Sequence, residues 1–365
     1  MFLKFGREEV RSYNRIPSVL IRPKTILLPM GNRKITRLFE TIMNLNNLLM
    51  AYECIESDLG DPTHDPGLDK TTLDGLHLME LERRSMKLDQ GTFFFPHMGI
   101  LFVPRHPSKR PIQIPPPRDQ ILDKSMALAL EDSFHLLFPD DPIHSFRMGE
   151  GHHTLSRNLE DNWQAVRILL KSDVLECFDS ISHKKLIEEL SRYIDDDRFF
   201  NLLDQFLKAG YGKGKTERSI GIPRGTVASP ILINIFLHVL DAFVQHHLCD
   251  ILFREEGGKY VRYCDHLLFG LNKPSMAFAE HVDRRLKDFA GEVLGITLRT
   301  EIVIAPASTI FLGIKLTLPQ SPEEKIRLEA PVLIERLFRI QILSPSGNST
   351  NWGSFGYTEN EIVEK

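Results

Sequence analysis

The chain has 365 residues, 42% hydrophobic and 26% charged, an ordinary mixture large enough for two or three lobes sharing one core. No run of about 18 consecutive apolar residues occurs, which argues against a membrane span, and Cys54, Cys177, Cys249 and Cys264 lack the C-x2-C spacing of a structural zinc site and read as reduced thiols. The formal net charge of -4 weighs against a nucleic-acid partner, but it hides an uneven distribution.

From Met1 to Leu38 nine cations (Lys4, Arg7, Arg11, Arg15, Arg22, Lys24, Arg33, Lys34, Arg37) face only Glu8 and Glu9. Such a start suits an organellar targeting peptide, a basic arm laid on RNA, or a solvated segment. Apolar positions at helical spacing predict a helix over 36–56, followed by a turn-rich loop over 57–70 and a second amphipathic helix over 72–86. Gly91 to Phe95 and Ile100 to Val103 are β-prone. Residues 104–118 hold six prolines with Arg105, Lys109, Arg110 and Arg118 between them, an extended basic stretch able to track phosphates. A helix is expected over 119–137 and an irregular connector over 143–153.

A strand over 166–174 ends abruptly at Ser172-Asp173. Helices follow over 183–194 and 198–209. The turn Gly221-Ile222-Pro223-Arg224-Gly225 opens a long helix over 229–249, whose Asn234, His238 and Asp241 share the face opposite its apolar one. A hairpin is expected next, with arms over 259–263 and 267–271 reversing at Cys264-Asp265-His266. A helix over 275–293 and strands over 301–305 and 309–316 complete the pattern. A strand ending in Asp173 and a hairpin tip carrying Asp265 would bring two carboxylates together on one sheet. That arrangement suits paired magnesium ions, which take oxygen ligands and flank the attacking and leaving oxygens in phosphoryl transfer. Either Asp alone reads as readily as a solvent-facing cap.

The chain resembles group II intron-encoded reverse transcriptases and maturases over 38–316. Gly67-Leu68-Asp69 and Leu73-Asp74-Gly75 stand where the family has G-x-D and x-D-G, Arg110 to Pro115 with Arg118-Asp119 is similar to R-P-L-G-I-P…R-D, and Ser145 to Gly149 is similar to G-F-R-P-G. Motif A reads Asp173-Val174-Leu175-Glu176-Cys177-Phe178-Asp179, then Ile181 and His183. Motif B runs from Gly221 to Asn234 with Arg224 in place of Gln. Motif C is Tyr263-Cys264-Asp265-His266, with His266 where the second aspartate of Y-A-D-D belongs. Phe311-Leu312-Gly313 resembles the F-L-G of the last palm strand, and 295–301 lacks the Lys usually found before it.

The resemblance implies an α+β right-hand polymerase fold: a basic segment over 1–35, fingers over 36–165, an antiparallel palm over 166–316, and a shortened or partial thumb with the tail over 317–365. It implies RNA-directed DNA synthesis in intron mobility and splicing, or alternatively a polymerase-inactive maturase that only binds intron RNA; a host-domesticated RNA-binding factor is a third class. Implied partners are group II intron RNA, an RNA template with a DNA primer, and deoxynucleoside triphosphates; no membrane is implied, and oligomeric state is not readable. The implied cofactor is a pair of Mg2+ ions, with Mn2+ able to substitute. Asp173, the Val174 carbonyl and Asp265 would hold the metals, Asp173 and Asp265 being the catalytic pair. Arg105, Arg110, Phe178 and Asn234 would contact the nucleotide, Phe178 as the gate against a 2'-hydroxyl. Lys109, Tyr263 and Gly225 would meet primer and template. Magnesium favours oxygen, so His266 weakens the ligand set. The segment after Leu316 is too short for a full thumb and maturase domain, and it lacks the paired His or Cys ligands of an endonuclease module. The mitochondrion is the expected compartment, the chloroplast the alternative.

Overall fold

The computed structural model describes residues 34–59, 83, 86–87, 90, 98–102, 111–135, 142–147, 149–209, 219–253, 258–272, 275–319, 321 and 324–329. The basic start over 1–33, the 72–86 helix, the Gly67 to Gly75 motif and Gly91 to Phe95 fall wholly or almost wholly outside them. The helix expected over 36–56 is two, α1 (Leu38–Met43) and α2 (Leu45–Leu59). Asn44 between them is extended (φ -63°, ψ 133°), and its Oδ1 accepts the Asn46 N–H at 2.9 Å. Asparagine is a strong N-cap residue, so it starts a new helix inside one apolar stripe. Strand β1 (Gly99–Phe102) pairs antiparallel with β2 (Pro111–Ile114). The proline-rich stretch therefore is extended at β2, but it turns helical earlier than expected, α3 running Pro117–Phe134. Proline at the first helical position loses nothing, because its missing N–H would have had no intrahelical partner.

Helix α4 (His152–Asn162) occupies a stretch to which the sequence assigns no element. It buries only Leu155 and Leu159, and so slight an apolar signal is lost among the flanking Gly and His residues. Strand β3 (Ile168–Val174) starts two residues later than expected, after Ala165 at φ 61°. Helices α5 (Cys177–Ser180), α6 (His183–Leu190) and α7 (Asp197–Ala209) follow. Helix α8 (Ala228–Phe243) is buried along its whole length and continues as a wider π-helical segment, Val244–Phe253. Ala228–Leu248 is by length and mean hydropathy apolar enough to cross a membrane, though Asn234, His238 and Asp241 interrupt it; 94% of that window is buried inside the protein, as befits a core helix.

Strands β4 (Lys259–Tyr263) and β5 (His266–Leu271), helix α9 (Met276–Phe289) and strand β6 (Leu298–Ile304) complete a sheet of order β4-β5-β3-β6, antiparallel throughout. Strand β3 lies inside it, which accounts for the unbroken buried run Ile168-Leu169-Leu170. The strand expected over 309–316 is instead a hairpin, β7 (Ser308–Phe311) and β8 (Ile314–Thr317), with β9 (Arg327–Glu329) alongside. Its turn is Leu312-Gly313, both at positive φ (52° and 74°), the backbone demanded by a two-residue hairpin whose twist matches its strands. Phe311 and Ile314 remain buried on either side. One hydrophobic cluster runs from Leu38 through the sheet to Ile326, with a satellite of Leu48, Ala51, Ile55 and Ile121 between α2 and α3.

Candidate active site

Asp173 near the end of β3 has two cross-strand partners, His266 on β5 and Arg299 on β6. Directly opposed residues of antiparallel strands project from one face, so His266, Asp173 and Arg299 form a row across the sheet end. Asp265 lies in the turn after Cys264, and its carbonyl accepts the Val174 N–H at 3.1 Å. Asp173-Val174 and Asp265 are thereby held on adjoining segments. His266 is not at the turn tip; it is the first residue of β5, opposite Tyr263, because the reversal needs only Cys264 and Asp265. Its Nε2 is 3.8 Å from Asp265 Oδ1, with the two side chains 39% and 22% exposed. Arg299 grips Asp173 with both ends of its fork, Nε to Oδ1 at 3.1 Å and Nη2 to Oδ2 at 2.8 Å. Those bonds hold the guanidinium pKa above its ordinary value. The 295–301 stretch thus supplies a cation after all, as arginine.

Beneath the turn lies a buried polar network. Arg262, fully buried, donates from Nε to Asp241 Oδ1 at 2.8 Å, from Nη2 to Asp241 Oδ2 at 2.6 Å, and from Nη1 to Asn234 Oδ1 at 2.8 Å and to the Cys264 carbonyl at 2.7 Å. Burial alone would lower the Arg262 pKa; Asp241 outweighs it and the net shift is upward, so the cation persists in the core. Tyr260 donates to Asp241 Oδ1 at 2.6 Å, Asn234 Nδ2 donates to the Ser145 carbonyl at 2.8 Å, and Ser145 Oγ accepts the Cys264 N–H at 2.6 Å. Both ends of the Asn234 side chain are therefore committed inside the protein, and it is fully buried. Asn234, expected against a nucleotide, thus bonds to Ser145 and Arg262, which both bond Cys264 of the turn. Tyr263 is also buried, its ring 4.5 Å from that of His152.

The 221–225 turn is zipped onto its neighbours. Ile222 N–H donates to the Phe178 carbonyl at 2.6 Å, Gly221 N–H to the Ile181 carbonyl at 2.8 Å, and Gln113 N–H to the Arg224 carbonyl at 2.6 Å, while Arg224 N–H donates to Gln113 Oε1. Gly225 has φ 98°, and a Cβ there would overlap Ile112 and lie 2.9 Å from the Gln113 carbonyl oxygen. Glycine is what lets β2 close on this turn. Arg224 lies 4.8 Å over the Phe178 ring and donates to Asp179 Oδ2 at 2.9 Å. Asp123 of α3 accepts the N–H groups of Val227 and Ala228 at 2.7 and 3.0 Å, capping α8 from another element; burial pushes its pKa up to about 6. Arg105, Lys109 and Arg110 lie outside the described residues.

A family model described as reverse transcriptase (RNA-dependent DNA polymerase) matches residues 103–316, more than half of the chain. The chain belongs to the reverse transcriptase family. Its helices and antiparallel sheet are the fingers and palm architecture of a right-hand polymerase. Among relatives of this reverse transcriptase, a 91 kDa protein in the cob intron of Schizosaccharomyces pombe is 35% identical over 208 residues, 56% of this chain and 25% of that protein. The COX1/OXI3 intron 1 protein of Saccharomyces cerevisiae is 30% identical over 254 residues, 67% of this chain and 30% of the other. The group II intron-encoded protein LtrA of Lactococcus lactis subsp. cremoris is 30% identical over 213 residues, 57% and 35% of the two chains. The chain thus spans about a quarter to a third of these relatives' length.

Reverse transcriptases imply divalent cations, and the donors near Asp173 can be tested for them. Asp173 and Asp265 offer carboxylate oxygens from adjoining segments, the hard ligands that magnesium requires. Among the described residues no three His, Cys, Asp or Glu side chains converge as a metal-binding group. The two carboxylates fit a hard cation in chemistry, with the imidazole of His266 and the guanidinium of Arg299 beside them. Sequence reading missed Arg262, Ser145, Arg299 and Asp123. Only the network left a signal: a polar face of Asn234, His238 and Asp241 on an otherwise apolar helix calls for a buried partner.

Proposed function

We propose that this reverse transcriptase domain synthesises DNA on an RNA template for a group II intron, serving its mobility and splicing. The observation that carries the reading is the seating of Asp173 and Asp265 on adjoining segments of one sheet end, with Val174 N–H bonded to the Asp265 carbonyl. Asp173, Asp265 and the Val174 carbonyl would hold two Mg2+ ions, or Mn2+, which when bound neutralise charge at the attacking and leaving oxygens of phosphoryl transfer. The rest of the work is positioning. Phe178 excludes a 2'-hydroxyl, its ring backed by the Arg224 guanidinium. Arg105 and Arg110 grip the triphosphate and Lys109 meets primer and template, while Tyr263 and Gly225, packed against His152 and β2, support the surface those strands meet. Asn234 acts through Arg262 and Ser145 to hold the turn that presents Asp265. The lobes divide near 35, 165 and 316, and the relatives from cob and COX1/OXI3 introns support a mitochondrial site of action.

A second reading, an RNA-binding maturase without polymerisation, is favoured by His266 standing at the second motif C acid and by Arg299 holding both Asp173 oxygens. Primer extension on an RNA template, run beside splicing of the host intron, separates the two. The polymerase reading expects deoxynucleotide incorporation that Asp173→Ala abolishes. No incorporation, together with splicing untouched by Asp173→Ala, replaces it with the maturase reading.

A further inference from the structure

Asp173 is the acid on which the proposed catalysis depends, and both of its oxygens are already bonded to Arg299, at 3.1 and 2.8 Å. A guanidinium in this fork-on-fork geometry takes one lone pair of each Asp173 oxygen and sets a fixed positive charge where a hard cation would approach. The contact is built into the backbone: Arg299 is the register partner of Asp173 on β6, so sheet pairing delivers the cation to the acid. It is also open to solvent, the Arg299 side chain being 71% exposed and that of Asp173 20%. Exposed ion pairs are weak and exchange readily.

Resting on the reading of Asp173 as a metal ligand, we propose that Arg299 is a built-in competitor for the divalent cation: its guanidinium holds both oxygens of the Asp173 carboxylate, and an ion binding there must overcome that charge. The exchange is of one counter-charge for another and needs no bond chemistry. His266 sharpens the competition. Where a third carboxylate would draw the ion in, an imidazole contributes no negative charge, so the two acids must outbid Arg299 alone. Arg299 therefore sets the cation concentration at which the site fills.

The test uses the full chain with Mn2+ alone, without nucleotide or nucleic acid, reading free ion by electron paramagnetic resonance and repeating with Mg2+ as competitor. Arg299→Ala should bind Mn2+ at least fivefold more tightly than the unmutated protein. Arg299→Lys keeps the charge but loses the fork, and should fall between the two. In an Asp173→Asn background, removing Arg299 should bring no gain. Because Arg299 is a surface residue, unfolding curves of the single variants should nearly coincide with that of the parent, which checks that the fold is kept. Equal affinity with and without Arg299, a gain that persists in the Asp173→Asn background, Arg299→Lys indistinguishable from the parent, or no bound Mn2+ in any variant each overturns the competitor role. Primer extension on the same samples keeps the two questions apart. Tighter Mn2+ binding without extension sinks the polymerase reading alone, and extension without tighter binding sinks only the competitor.

Discussion

At the scale of single residues, the site's chemistry turns on what flanks Asp173. On one side is Arg299, on the other His266, so the acid expected to attract a dication sits between a permanent cation and an imidazole. His266 is 39% exposed and 3.8 Å from Asp265, which leaves room to replace it without disturbing the core. His266→Asp adds a hard oxygen donor and one negative charge beside both acids. Primer extension with magnesium should rise at least tenfold, equivalent to about 1.4 kcal/mol of barrier. No gain from His266→Asp would mean that the missing acid is not what limits the reaction. Residue identity made this position legible in advance, since a histidine in place of an aspartate is visible in any reading of motif C. Arg299 is illegible for the opposite reason: the family pattern has lysine in this stretch, and only strand register shows that an arginine faces Asp173.

Among elements, the legible parts are those with strong periodicity, such as the long α8 and the β4-β5 hairpin, and the parts that slipped are those in which one polar residue or one turn outweighs the pattern. Asn44 divides an apolar stripe into two helices, and Leu312-Gly313 folds an expected strand into a hairpin. The network under the turn was harder still, because its members, Ser145, Asn234, Asp241, Tyr260 and Arg262, come from a connector, a helix and a strand that no local pattern links. Its energetics follow from burial. Removing one partner of a fully buried ion pair strands the other charge, at a cost of about 3–5 kcal/mol, whereas replacing both with apolar groups can be near neutral. Arg262→Met and Asp241→Leu should each lower the unfolding free energy from urea titration by that measure, and the double variant should recover much of the loss in a double-mutant cycle. If the two single effects simply add, the pair is not the coupled unit the geometry describes.

For the whole molecule, the site is assembled from segments between Gln113 and Arg299, so no part of it exists until β2, the 221–225 turn and the four-stranded sheet have come together. Family order made that assembly foreseeable while composition did not: a net charge of -4 hides nine cations against two acids in the first 38 residues. Binding to a phosphate backbone releases condensed counterions, and each phosphate neutralised adds about 0.7 to 0.9 to the slope of log affinity against log salt. Arg105, Lys109 and Arg110 carry three such charges within six residues of the proline-rich stretch. Replacing all three with Ala should weaken binding to intron RNA and reduce the magnitude of the salt slope by about 2 to 3, as titrations over a range of potassium chloride concentrations would show. The loss should be greatest at low salt and shrink as salt rises, because the missing term is the electrostatic one. An unchanged slope with weakened affinity would mean that these residues act through the fold of the fingers instead of through phosphate contact, and the RNA path would then have to be sought elsewhere on the surface.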